Sequence, residues 1–191
     1  MKIAVIGAGR IGRTLGEKWT PAGHTVVYGV RTPEQAHERP VPDAVDGADV
    51  VVLAVPGAAA LSVVESLGRL LAGKVVVDAT NDVPGSSALR ALAVAEAGGV
   101  PVRAFNTLGW ENFADPVVGG MQADLLFAAD EGPGKQTAEQ LIREVGLEPV
   151  WLGGVDAFDV VDSVTQLWFT LVFKRGLGRR LAFKVLRDQP D

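Results

Sequence analysis

Six residues near the start of the chain, Gly7-Ala8-Gly9-Arg10-Ile11-Gly12, follow a β-branched run at residues 2–6 and open a stretch, residues 11–19, whose apolar positions recur at helical spacing. A strand that passes into a helix through three glycines can fold in few ways. Gly7 permits a tight turn, Gly9 keeps a Cβ out of the path of anything lying on the backbone, and Gly12 lets the helix pack closely on the strand. The helix then presents unpaired N–H groups and the positive end of its dipole at the turn, which suits a pyrophosphate. In this setting the pattern predicts a dinucleotide site that includes Gly7, Ala8, Gly9, Arg10, Ile11 and Gly12.

The rest of the chain alternates in the same way. Apolar runs predict strands at residues 25–30, 50–54, 74–78 and 102–105, with helices at 58–71 and 86–97 between them. A further strand at 123–129, a helix at 134–145 and a short strand at 149–152 follow, then helices at 156–173 and 178–186. Repeated βαβ units imply a parallel, doubly wound sheet with right-handed crossovers. The expectation is an α/β protein of Rossmann type, its sheet mostly parallel, with C-terminal helices at about 156–187 packed on it. No repeat or linker separates a second unit, so residues 1–191 read as a single domain.

Composition narrows the chemistry. There is no cysteine, which excludes disulfides, thiolate nucleophiles and cysteine-bound metal. The two histidines, His24 and His37, have neither a metal-ligand nor an i, i+4 spacing, so no metal site is expected. A net charge of -5 without a basic cluster argues against nucleic acid as a partner. The longest apolar run, residues 50–61, is broken by Pro56 and Gly57 and falls short of a membrane span. The apolar start at residues 1–5 lacks a basic n-region and a longer apolar stretch and runs directly into glycines, so it reads as a strand and the protein is expected to be soluble and cytoplasmic, without membrane contact.

The end of the second strand distinguishes NAD from NADP. An acid there would accept from the ribose 2′-hydroxyl, but the chain reads Tyr28-Gly29-Val30-Arg31-Thr32, with no acid until Glu34. Arg31 is expected to face a 2′-phosphate, a charge-assisted contact worth about 1.5 to 3 kcal/mol. Arg10 could add to it. Candidates for proton transfer are few: His24 precedes the second strand, His37 follows it, Tyr28 lies within it, and Lys174 ends a helix. Asp78 and Asp82 follow the fourth strand, where an ionised carboxylate is a poor acid unless burial raises its pKa.

The chain resembles the NADPH-dependent coenzyme F420 reductases and their relatives, which include the reductase domain of the six-transmembrane metalloreductases. The resemblance rests on the glycine turn, Val51-Val-Leu-Ala-Val-Pro56, Ala104-Phe-Asn-Thr107, Val161-Asp-Ser-Val-Thr-Gln-Leu167, Gly176-Leu-Gly178 and Ala182-Phe-Lys-Val-Leu186. It implies that Ala54, Val55 and Pro56 cover the adenine-side ribose and the pyrophosphate. It also implies that residues from Asn106 and Thr107 to Trp110 flank the nicotinamide, with the deazaflavin stacked on it. Thr32 and Asn81 join these as cofactor-binding candidates. Val30 stands where family members often carry serine, which removes one phosphate contact, and the region of Ser86 is short. The implied activity is hydride transfer between NADP(H) and F420 or a related flavin. Such a ring acceptor explains the sparse acid-base equipment and asks for aromatic walls, for which Trp110 and Trp168 are the candidates. An NADPH-dependent ketone or imine reductase and a non-catalytic NADPH-binding redox sensor are the other readings. The apolar C-terminal helix suggests a homodimer.

Overall fold

A computed structural model describes residues 1–81 and 87–188. Asp82 and the expected helix start at Ser86 lie outside the described residues.

The first half runs β1 (Lys2–Ile6), α1 (Arg10–Trp19), β2 (Thr25–Val30), β3 (Glu38–Pro40), α2 (Val41–Val45), β4 (Val50–Leu53), α3 (Gly57–Leu67), β5 (Val75–Asp78), α4 (Ser87–Glu96) and β6 (Val100–Arg103). The second half runs α5 (Trp110–Ala114), β7 (Val117–Val118), β8 (Met121–Gln122), β9 (Asp124–Ala129), α6 (Pro133–Val145), β10 (Glu148–Trp151) and α7 (Phe158–Phe169). Eight strands form one sheet in the order β10-β9-β6-β5-β4-β1-β2-β3. Its pairings are parallel except for β6 with β9, while β7 and β8 make a separate antiparallel ribbon. The mostly parallel, doubly wound expectation holds.

The continuous β-branched runs follow from this topology, because both faces of the central strands are covered. On β1, Ile3 and Val5 pack with Leu15 and Trp19 of α1, whereas Ala4 and Ile6 pack on the other face with Val45 and Val64. Trp19 is fully buried, donates from Nε1 to the Leu141 carbonyl at 3.1 Å and meets Phe105 edge to face.

Polar groups are also buried deep in the structure. Arg103, at the end of β6, has no exposed surface. Its Nη1 lies 3.0 Å from Asp78 Oδ1, and its Nη2 lies 2.6 Å from Asp162 Oδ1 on α7. Asp78 also accepts from Arg90 Nε at 2.6 Å and from both the backbone and the hydroxyl of Thr80. Two cations and two anions thus balance inside the protein and bind β5, α4, β6 and α7 together.

Three boundaries differ from expectation for physical reasons. The strand expected at 102–105 is Val100–Arg103, because Phe105 takes a positive φ of 64° and the chain has left the ladder by then. The helix expected at 156–173 divides into a 3-10 turn (Val155–Ala157), α7, and a π-helical turn (Thr170–Lys174). The helix expected at 178–186, and with it the end of the C-terminal helical region at about 187, is not formed. Gly176 and Gly178 have φ of 71° and 80°, and the chain beyond them is extended. Its carbonyls are used elsewhere: Leu181 O accepts from Trp168 Nε1 at 2.8 Å, Phe183 O from Asp124 N at 3.0 Å, and Arg179 O from Asn112 Nδ2 at 3.2 Å. Apolar residues 181–183 pack on the core from this extended strap. The short elements β3, α2, α5 and the β7–β8 ribbon have no strong periodicity and escape sequence reading.

Replacing Arg103 with alanine leaves Asp78 and Asp162 short of their shared cation. Urea denaturation is expected to show a loss of about 3 to 5 kcal/mol, as for other broken buried pairs.

Candidate functional site

Strand order reverses about β1, between β2 and β4, and the crevice at the carboxyl ends of these strands is where open α/β sheets bind ligands. A cavity of about 590 Å³ lies there. It brings together Gly7, Ala8 and Gly9 after β1, Arg31 and Thr32 after β2, and Ala54, Val55 and Pro56 after β4. Val41, Ala59 and Val63 complete an apolar wall that the sequence did not single out.

The glycines are held by close contacts. A Cβ on Gly7, whose φ is 104°, would stand 2.6 Å from the Ala54 carbonyl oxygen, and one on Gly12 would stand 2.2 Å from the Gly7 carbonyl oxygen. At Gly9 a Cβ would meet nothing within 4 Å, so the backbone there faces open space. Gly9 is also the N-cap of α1, no side chain caps that end, and no acid sits in its first turn. The Gly7 N–H is donated to the Gly29 carbonyl, so it is the N–H groups opening α1 that remain for an anion in the crevice, and the residues present fit a dinucleotide pyrophosphate. Gly12 and Ile11 shape this cradle from behind and do not line the cavity.

Arg31 and Thr32 are exposed at the cavity rim. The loop that carries them is clamped by Glu38, whose carboxylate accepts from Glu34 N at 2.9 Å, Gln35 N at 3.2 Å and Arg13 Nη2 at 2.7 Å. The Glu34 N–H first, and then Arg13 and the Gln35 N–H against the opposing effect of burial, hold the Glu38 carboxyl below its ordinary pKa. With both oxygens of Glu38 engaged by the protein, Arg31 is the charged side chain lining the cavity. Arg10 does not join it: its guanidinium lies 5.7 Å from the ring centroid of Trp110.

That contact leads to the second half of the site, at the ends of β5 and β6. Phe105, the non-glycine residue at positive φ among those described, turns the chain so that Asn106 and Thr107 are buried beside α7. Strained backbone of this kind persists where the surroundings fix it, and often does so at functional sites. Asn81 Oδ1, Asn106 Oδ1, Thr107 Oγ1 and Trp110 Nε1 are buried with no hydrogen-bond partner among the described residues. Buried polar groups without a partner are rare in folded proteins, which makes these four candidates for contact with a bound polar molecule. Burial alone would raise the Glu111 carboxyl, but the bond from Arg179, its own backbone N–H and the nearby charges of Arg179 and Arg10 outweigh it, so its pKa lies below the usual value.

Other candidates are spent on structure. His24 pairs with Glu144 at 2.7 Å, His37 packs on Tyr28, and Asp78 has both oxygens engaged in the buried ion network. Trp168 is buried and bonded to the strap, so it belongs to the core and not to a ligand wall. Asp162 and Thr165, which support Asn106, lie in the segment at residues 161–167 that carries part of the resemblance, but nothing in that segment alone assigned them to the site.

Residues 2–82 match the family described as NADP oxidoreductase, coenzyme F420-dependent. Over this segment the chain is similar to that family. The F420-dependent NADP reductase of Methanothermobacter marburgensis is 27% identical over 220 residues, covering 95% of this chain and 98% of the relative. Metalloreductase STEAP3 of Rattus norvegicus is 28% identical over 178 residues, covering 85% of this chain and 36% of that protein. A solved structure from Arthrobacter sp. FB24, provisionally described as an F420-dependent NADP-reductase, superposes with a TM-score of 0.85 at 24% identity. It covers 98% of this chain and 100% of its own, and it bears out the fold.

The Gly7–Gly12 contact yields a test. Gly12→Ala pushes a methyl group against the Gly7 carbonyl, and calorimetric titration is expected to show NADPH affinity falling at least about tenfold, with a stability loss of about 1 to 3 kcal/mol.

Proposed function

We propose that this chain is an NADP-dependent oxidoreductase that moves a hydride between NADP(H) and coenzyme F420 or a related flavin. The observation that carries the reading is the crevice itself, in which an uncapped helix N-terminus and Arg31 face one cavity and the unmet polar groups of residues 106–110 lie at the same end of the sheet. The named activity of the Methanothermobacter relative, aligned over nearly the whole of both chains, supports the choice of acceptor.

Bound in this way, NADPH supplies the hydride, and a ring acceptor exchanges its proton through water. The chain's own residues bind and orient. The Gly7–Gly12 turn holds the diphosphate, Arg31 and Thr32 hold the 2′-phosphate, and Ala54, Val55 and Pro56 cover the ribose between them. Asn81, Asn106 and Thr107 meet the polar edge of the nicotinamide, and the half-buried ring of Trp110 forms an apolar wall. Transfer requires two planar rings face to face at about 3 to 3.5 Å, so positioning and exclusion of water are the protein's main contributions. No side chain of this set is needed as a general acid.

We read residues 1–191 as one NADP-binding domain acting in the cytoplasm on a small-molecule acceptor, without nucleic acid or membrane as a partner. No helix among the described residues is long and apolar enough to cross a membrane. A homodimer is supported by α7, where Val160 and Leu167, seven residues apart, are 52% and 49% exposed. That spacing is the one helices use to pair.

Stopped-flow mixing of the protein and NADPH with F420, FMN or FAD tests the activity. Loss of the reduced-nicotinamide absorbance with F420 is expected, and no loss with any ring acceptor would leave a binding or sensing role instead. Arg31→Glu is expected to raise the NADPH dissociation constant at least about tenfold, as loss of a charge-assisted contact would. An unchanged constant would remove Arg31 from the site.

A further inference from the structure

We infer that Thr165 and Asp162 of α7 are positioning residues, fixing the Asn106 amide so that its oxygen accepts a hydrogen bond from the carboxamide NH2 of the nicotinamide. The inference rests on the reading of this crevice as a nicotinamide dinucleotide site.

Proton accounting sets the orientation. The Thr165 hydroxyl donates to the Val161 carbonyl at 3.2 Å, one turn back on α7. Its single proton is thereby used, so towards Asn106 the hydroxyl oxygen can only accept. The Asn106 amide nitrogen lies 2.8 Å from that oxygen. Asp162 Oδ1, an acceptor when ionised, lies on the same side at 3.5 Å and is held there by Arg103 Nε and Nη2 at 2.8 and 2.6 Å. A flipped amide would set its oxygen against two oxygens, so both neighbours select the same rotamer. What remains is Asn106 Oδ1, a sealed acceptor on a residue 1% exposed, with no donor among the described residues.

No internal donor among the described residues satisfies it. Trp110 Nε1 and the Thr107 hydroxyl are themselves unpaired, so these groups do not satisfy one another in the folded chain. Together they offer one fixed acceptor and two groups able to donate, which is the complement of a primary carboxamide with its NH2 and its carbonyl. The turn at Phe105 holds Asn106 in this position from the other side. Asn106 itself would touch the cofactor, whereas Thr165 and Asp162 act through it.

The test compares NADP+ with its 3-acetylpyridine analogue, in which a methyl ketone replaces the carboxamide and no N–H can be donated. Calorimetric titration of the wild-type chain is expected to favour NADP+ by about tenfold, the worth of one bond to a buried acceptor. In Thr165→Val the preference should fall at least threefold, because the amide loses a partner that dictates its rotamer, and Thr165→Ser should restore it. If the valine variant does not fold, Thr165→Ala serves in its place. Asn106→Ala should bring the two ligands to near-equal affinity. A purely structural Thr165 would weaken both ligands alike, so an unchanged ratio in folded Thr165→Val overturns the inference, as does a wild-type ratio near one. Failure of the wild-type chain to bind either dinucleotide overturns the reading of the site itself.

Discussion

A guanidinium with no route to water must be neutralised where it stands, and Arg103 meets that requirement with carboxylates from two directions. Asp78 comes from the neighbouring strand β5, and Asp162 comes from α7, about sixty residues further along the chain. Removing either carboxylate would leave charge uncompensated in a low-dielectric interior, where such losses outweigh most packing changes. The network therefore fixes the height at which α7 crosses the sheet. It also fixes the level of Asn106, three residues after Arg103.

The reversal of chain direction at β9 makes this meeting possible. Because β9 runs against β6 and β10 runs with β9, the chain leaves β10 at the end of the sheet remote from the crevice. Helix α7 then climbs back alongside β6, starting near Ala128 and reaching Asn106 by Thr165. A fully parallel sheet would have released that helix at the wrong end. The cofactor crevice and the buried ion network thus share one design, in which rigid strands end together and a returning helix closes the gap.

Much of this was legible in the sequence because it depends on local rules. The glycine turn, the β-branched strands and the missing acid after β2 are short-range signals, and Gly7, Gly9, Arg31, Thr32 and Ala54–Pro56 meet at one cavity as expected. Arg10 could not be placed from the sequence because a side chain at a helix start can turn to either side, and its guanidinium lies near the aromatic face of Trp110. Trp168 looked like a wall because nothing local shows that the strap would cover it. Asp162 and Thr165 acquire their meaning only through partners some sixty residues earlier, a relation that periodicity cannot report. The helix expected over 178–186 failed for a similar reason, since its apolar run is equally consistent with an extended segment that finds its hydrogen bonds on other elements.

The strap engages α5 and α7 in two ways, through the main-chain oxygens of Arg179 and Leu181 and through the guanidinium groups of Arg179 and Arg180, which bond Glu111 and Asp115. Every residue has a carbonyl, proline included. Substitutions at positions whose carbonyl alone is used, such as Leu181 towards Asn112, leave those bonds in place, whereas the positions of Arg179 and Arg180 are tied to their side chains. Asn112 and Trp168, which supply the donors to the main-chain oxygens, have few acceptable replacements, so the anchoring of the segment is shared between its own arginines and residues outside it.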